Sequence, residues 1–121
     1  MPTILLLTDD LLDSSRVSGS VRAHGATLKT ARDWTRLAAL AVETEPALVF
    51  LDLANPGLKL DALLAALHNL PTRPQVIAFG SHVDAQGLQA ARTAGCDLVL
   101  PRSAFVERLE SELPSWLEGK S

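Results

Sequence analysis

The sequence predicts an α/β protein with a three-layer, doubly wound, five-stranded parallel sheet. Short, uninterrupted apolar runs alternate with segments of helical periodicity along the whole chain. Strands that are apolar over their entire length are typical of a parallel sheet covered by helices on both faces. Right-handed crossovers then distribute the helices between the two faces. With 121 residues, the chain is expected to form a single domain, residues 1–121.

Five apolar runs predict the strands of this sheet. Each is four to six residues long, which is a usual length for a strand. The predicted strands are Thr3–Thr8, Ala26–Thr30, Ala47–Leu51, Gln75–Phe79 and Asp97–Leu100.

Apolar residues at helical spacing predict a helix after every strand. Gly25 is a stop signal for the first helix, and Gly95 for the fourth. Asp33 is a suitable N-cap for the second helix, which Pro46 should end. Pro71 ends the third helix.

The last helix carries an apolar stripe, and Ser103 is predicted to cap its start. Pro114 should end or kink this helix, because proline lacks the N–H group that an interior position requires. Trp116 follows on a C-terminal tail, and we expect it to pack back on the domain rather than to anchor a partner.

The composition restricts the location and the kind of partner. The formal net charge is -3 and the basic residues are scattered, which argues against binding of nucleic acid by this domain. No apolar run is long enough to span a membrane, and a signal peptide is not expected. Cys96 is the only cysteine and is predicted to be a buried core thiol. A protein of the reducing cytoplasm is therefore expected.

Three aspartates follow two of the apolar runs. Asp9 and Asp10 come directly after the first strand, and Asp52 comes directly after the third. The carboxyl ends of parallel strands form the edge where ligands bind in open α/β sheets. Carboxylates gathered there would provide the hard oxygen ligands that Mg2+ prefers. The alternative interpretation is that these acids are simply solvated at the ends of strands.

Several motifs, taken together, resemble the receiver domain of bacterial two-component response regulators. Thr8-Asp9-Asp10 resembles the acidic pair after the first strand of that family, and Leu51 to Gly57, with Pro56 four residues after Asp52, resembles its phosphoacceptor segment. Ala94-Gly95-Cys96-Asp97 resembles the segment that enters the fifth strand. The resemblance covers nearly the whole chain and implies the flavodoxin-like or CheY-like fold of receivers.

The sequence departs from the family at its switch positions. Gly80 stands where receivers usually carry Thr or Ser. Arg102, followed by Ser103, stands where they carry Lys and Pro, and Val99 replaces an aromatic residue. Both halves of the usual hydroxyl-to-aromatic switch are therefore missing.

The resemblance also implies roles for the acidic residues. Asp52 is at the phosphoacceptor position. Asp9, Asp10, Asp52 and the backbone carbonyl of Ala54 are at the metal positions, and Mg2+ is expected to bind there weakly or not at all.

The two substituted positions change the chemistry of this pocket. Arg102 is expected either to pair with Asp52 or Asp10 and hold the pocket in one state, or to point into water. Gly80 cannot donate a hydroxyl hydrogen bond to a phosphoryl oxygen.

These residues favour a degenerate receiver that acts as a signalling protein-protein interaction module without the standard aspartyl-phosphorylation switch. Its expected partner is a histidine kinase or an effector domain, bound through the fourth helix, fifth strand and fifth helix. It is not expected to be an enzyme beyond self-phosphorylation. The alternative is a working receiver that accepts a phosphoryl group on Asp52 from a histidine kinase with Mg2+. A nucleotide-binding flavodoxin-like protein is a third hypothesis, although no glycine-rich loop follows the first strand.

Overall fold

The computed structural model describes residues 1–119, in which five strands alternate with five helices. The predicted strand ends differ from the observed ones by at most one residue. The elements are, in chain order, β1 (Thr3–Leu7), α1 (Leu11–Ala23), β2 (Thr27–Ala31), α2 (Trp34–Thr44), β3 (Leu48–Asp52), α3 (Leu60–His68), β4 (Gln75–Gly80), α4 (Ala85–Ala94), β5 (Leu98–Pro101) and α5 (Arg102–Leu117).

All five strands lie in one parallel sheet with the order β2-β1-β3-β4-β5. The predicted fold class is confirmed. The register places Leu7 of β1 beside Leu51 of β3, and Asp52 beside Phe79 of β4. Gly80, the last residue of β4, lies beside Pro101 at the end of β5. The carboxyl ends of four strands therefore meet along one edge, and the candidate site lies there.

Alternate side chains of the two central strands enter two separate apolar layers. Leu5 and Val49 contribute to the layer that includes apolar side chains of α2, α3 and α4. Ile4 and Phe50 contribute to the layer that includes side chains of α1 and α5. Because both faces of the sheet are covered, β1 and β3 are apolar at successive positions, as the sequence indicated.

The start and end of α5 differ from the prediction. The helix begins at Arg102 after Pro101, and no side chain of the described residues caps it, so the assignment of Ser103 as the cap is wrong. Pro114 was predicted to end or kink the helix. The helix continues through Pro114 to Leu117, so an end at this proline is wrong, and the kink stays a prediction. Because α5 extends one turn further than expected, its last residues can pack against the sheet.

Trp116 explains why the last turn of α5 is retained. Its side chain is fully buried, as expected for packing back on the domain. Its ring stacks on Phe105, with centroids 6.0 Å apart, and meets the edge of Phe50 at the same distance. Burial of a large aromatic side chain offsets the hydrogen bond that proline removes from a helix.

Cys96 is less buried than predicted. It is only partly buried and packs at the edge of the layer formed by α2, α3 and α4. Burial, together with the nearby Asp97 carboxylate, raises the pKa of the Cys96 thiol to about 11. The thiol is therefore protonated at neutral pH and is not a reactive nucleophile.

Candidate functional site

Asp52 is a buried carboxylate at the end of the central strand β3. Thr8, which follows β1, donates a hydroxyl hydrogen bond to Asp52 Oδ2 at 3.0 Å. The backbone N–H of Ala54 donates to Asp52 Oδ1 at 2.9 Å. Only 3% of the Asp52 side chain is exposed. Both oxygens of this carboxylate are therefore hydrogen-bonded within the protein, as a buried charged group requires.

Arg102, the first residue of α5, binds two acidic side chains. Its Nη2 donates to Asp52 Oδ1 at 3.0 Å, and its Nη1 donates to Asp13 Oδ2. The guanidinium also lies over the ring of Phe79, 5.0 Å from the centroid. The sequence predicted Asp52 or Asp10 as the partner of Arg102. Arg102 pairs with Asp52, and its second partner is Asp13 rather than Asp10. We call Arg102, Asp13 and Asp52 the Arg102 cluster.

Asp13 is the member of the cluster that the sequence analysis missed. It lies on α1, and its side chain is 5% exposed. A signal was present, because Asp13, Val17 and Val21 are spaced four residues apart and form the buried stripe of α1. An acid in line with two core valines should have indicated a buried charge, and hence a cationic partner.

The pKa directions of Asp13 and Arg102 reflect their different exposure. Burial raises the pKa of Asp13 above its usual value, although the hydrogen bond and charge of Arg102 oppose the shift; Asp10 and Asp52 raise it further. Burial is the largest single influence on Arg102 and opposes its charge, but the charges and hydrogen bonds of Asp52 and Asp13 together outweigh it and raise the pKa. Arg102 is 31% exposed, so it loses less hydration than Asp13. Asp13 therefore stabilises the charged guanidinium, while burial destabilises the ionised form of Asp13 itself.

Replacing Asp13 with Asn tests this assignment. The pKa of Asp13 is higher in the folded protein than in the unfolded chain, where it is near 3.8. Asp13 therefore stabilises the fold fully at pH values below 3.8, and this stabilisation is lost as the pH rises through the folded-state pKa. We expect Asp13→Asn to be at least as stable as the parent at pH 7, because an amide oxygen still accepts from Arg102. Urea unfolding at a series of pH values should show that the free energy of unfolding of the parent rises relative to that of Asp13→Asn as the pH falls towards 4. The opposite trend would contradict the assignment.

The predicted metal ligands are not gathered into one site. Asp9 and Asp10 are exposed. Asp10 Oδ1 accepts from the backbone N–H groups of Leu12, at 2.8 Å, and Asp13, and so caps α1. Among residues 1–119, no three His, Cys, Asp or Glu side chains are grouped so that they could hold a metal ion.

The Asp52 carboxylate already has a cationic partner and a backbone donor. Ala54 presents its N–H to Asp52, and the Arg102 guanidinium provides the positive charge beside the Asp52 carboxylate. The guanidinium thus provides, beside Asp52, a positive charge such as a bound metal ion would supply.

Gly80 ends β4 at the same edge of the sheet. A Cβ atom at this position would meet Leu53 Cβ at 3.4 Å and Leu88 Cδ2 at 3.5 Å, which are ordinary van der Waals contacts. The edge therefore has room for a small side chain, and the missing hydroxyl is not a steric requirement of the fold. Ser81, the next residue, is exposed.

The strand order, the helices on both faces and a buried aspartate at the end of β3 define the fold of a receiver domain. Solved structures with this fold match almost the whole chain. A protein of Chloroflexus aurantiacus described as a response regulator has a TM-score of 0.83 at 17% identity, over 98% of this chain and 99% of that one. A response regulator receiver domain of Bermanella marisrubri has a TM-score of 0.81 at 22% identity, over 95% and 97%.

A third neighbour holds a metal ion. The receiver domain of the Pseudomonas aeruginosa sensor histidine kinase PA1611 matches with a TM-score of 0.81 at 17% identity, over 97% of this chain and 98% of that one, and has magnesium in its active-site cleft. At these identities the likeness establishes the fold of the chain. No protein-family model and no curated protein matches the sequence. Within residues 1–119 no helix is both long and apolar enough to cross a membrane.

Proposed function

We propose that this chain is a degenerate receiver domain that acts as a signalling protein-protein interaction module. In this proposal it does not use the standard aspartyl-phosphorylation switch, and Arg102 holds its pocket in one state. The observation that carries the proposal is the ion pair of Arg102 with Asp52 and Asp13. A cytoplasmic location fits the free thiol of Cys96.

The Arg102 cluster opposes the attack of Asp52 on a phosphoryl donor. One Asp52 oxygen accepts from both Ala54 and Arg102, and the other accepts from Thr8. An attacking carboxylate oxygen must give up at least part of these bonds. Breaking this ion pair also leaves the buried carboxylates of Asp52 and Asp13 without compensation, which is costly.

Gly80 removes a second requirement for phosphoryl transfer. Catalysis of this reaction depends on positioned groups that bear the charge of the phosphoryl oxygens. Loss of one such hydrogen-bond donor costs on the order of 3 kcal/mol of transition-state stabilisation. Since the charge of Arg102 is also already paired with Asp52 and Asp13, neither substituted position provides an uncommitted group for the phosphoryl oxygens beside Asp52.

The proposed contact surface consists of α4, β5 and α5, and the expected partner is a histidine kinase or an effector domain. The composition of α4 supports this choice. Its only charged residue is Arg92, whose Nη2 lies 3.5 Å from the carbonyl oxygen of Val99 in β5. Uncharged residues such as Gln89 and Ala90 are exposed on α4 beside Arg92. The α4 part of the surface therefore has few charges and loses little hydration when a partner covers it.

A working phosphoacceptor receiver is the second candidate function. Asp52 lies at the end of β3, beside the hydroxyl of Thr8, and Asp9 and Asp10 follow the adjacent strand. In this alternative, a donor and Mg2+ displace Arg102, and Asp52 accepts a phosphoryl group from a histidine kinase.

Two-dimensional amide NMR distinguishes the two functions. We expect almost no change in the spectrum when Mg2+ is added and then beryllofluoride. The Asp52→Asn variant is the matched control, since any shift that persists in it does not report on the carboxylate. Shifts around Asp52, Gly80 and Arg102 that spread to Val99 and vanish in the variant would favour the working receiver and overturn our proposal.

A further inference from the structure

A surface cleft lies beside Arg102. It is about 670 Å³ in volume and is formed by α1, the loop between β4 and α4, and the first turns of α5. Arg16, His82, Arg102 and Ser103 are among the residues that line it. Pockets for small molecules in proteins are usually about 300 to 1,000 Å³, so the cleft is large enough for a ligand of nucleotide size.

The charge of the cleft is opposite in sign to that of the chain. Two arginines against the single acid Glu107 leave a formal charge of +1 on the lining when His82 is neutral, whereas the chain carries -3. Arg16 is exposed and forms no ion pair with any residue from 1 to 119. Its full charge is therefore available to a ligand.

Arg102 presents free donors to the cleft. Asp13 and Asp52 bind one N–H group each of its guanidinium, which has five. Neither acid is among the residues that line the cleft. The exposed 31% of Arg102 is thus the part of the cluster that a ligand would meet.

Hydroxyl and amide donors complete the lining. Ser81 and Ser103 contribute hydroxyl groups. The first turn of α5 contains no acid, and no side chain of the described residues caps it, so the early N–H groups of this long helix lack a side-chain acceptor. Val106 provides an apolar wall one turn further along. Positive charge, hydroxyl groups and helix amides are the groups that bind phosphate.

We propose that this cleft is a binding site for a small organic phosphate. The phosphate group lies between Arg16 and Arg102 beside the start of α5, and the organic part lies against Val106. Glu107 faces the same space and disfavours a second anionic group there. The site is separate from the phosphoacceptor position, because Asp52, Thr8 and Ala54 are not among the residues that line the cleft.

Amide and arginine side-chain NMR titrations with inorganic phosphate and with adenosine monophosphate test the site. We expect saturable shifts at His82, Ser103 and the side chains of Arg16 and Arg102, with tighter binding of the nucleotide. Arg16→Gln should weaken binding about tenfold, since it removes a charge-assisted hydrogen bond. Glu107→Gln should strengthen binding about threefold, because it removes a like charge.

Arg22→Gln is the matched control. It removes the same charge from α1 outside the cleft, so its affinity for phosphate should equal that of the parent. Absence of saturation with either probe up to about 10 mM, a concentration that covers millimolar affinity, would overturn the proposal. Equal weakening by Arg16→Gln and Arg22→Gln would also overturn it, as would shifts confined to Thr8 and Asp52. A negative phosphate titration would not affect the proposed receiver function, because that function is tested by the response to beryllofluoride at Asp52.

Discussion

Replacing Arg102 with Met is expected to lower the free energy of unfolding by about 3 kcal/mol at pH 7. The variant leaves Asp13 and Asp52 buried without their cation, and their side chains are only 5% and 3% exposed. Loss of one partner from a buried ion pair usually costs about 3 to 5 kcal/mol. The lower end applies because Arg102 is 31% exposed and water screens part of its charge. Urea unfolding followed by circular dichroism measures the difference.

Arg108→Met is the matched control for this loss. Arg108 lies on the same helix and pairs with Glu112 one turn later, but this pair is at the surface, so little change is expected. The triple variant that adds Asp13→Asn and Asp52→Asn to Arg102→Met should recover part of the loss. The deficit of Arg102→Met should also shrink in acid, since burial raises the pKa of Asp13 and its protonation removes one uncompensated charge. Equal free energies of unfolding for Arg102→Met and Arg108→Met would contradict the claim that the ion pairs of the Arg102 cluster stabilise the fold.

Restoring the two missing groups is expected to restore phosphorylation of Asp52. We expect the double variant Gly80→Ser, Arg102→Lys to react with acetyl phosphate and Mg2+ on the order of 100-fold faster than the parent. The serine supplies a hydroxyl donor, and its Cβ atom would make ordinary van der Waals contacts of 3.4 to 3.5 Å at this position. Lysine keeps the positive charge, but an ammonium cannot bind two carboxylates through a planar fork as Arg102 does. Intact-mass spectrometry over time measures the labelled fraction.

Two further variants separate the contributions to this gain. Gly80→Ala with Arg102→Lys fills the same space without a hydroxyl, so its gain should be smaller than that of the serine variant. Adding Asp52→Asn to the double variant should abolish labelling, which identifies the acceptor. If the parent were labelled as fast as the double variant, the chain would be a working receiver and the degenerate assignment would be wrong.

The fold could be predicted because its signals are local. An apolar run followed by a helical stripe occurs within about 25 residues, and each such unit reports its own strand and helix. The signal for the cap of α2 is equally local, since Asp33 accepts from the N–H of Arg36 three residues later, as predicted. The prediction failed where a distant contact overrode a local rule. Pro114 disfavours a helix, but burial of Trp116 against Phe50 retains the last turn.

The sequence by itself determined the sheet, the position of Asp52 at its carboxyl edge and the substitutions at Gly80 and Arg102. These follow from residue order and from the register that parallel strands impose. Only the tertiary structure decided which acids Arg102 binds, because Asp13 lies 89 residues before it in the chain. Packing of α1 and α5 on the same face of the sheet brings that acid to the guanidinium. The same packing forms the cleft in front of Arg102, and its lining comes from three segments far apart in the chain.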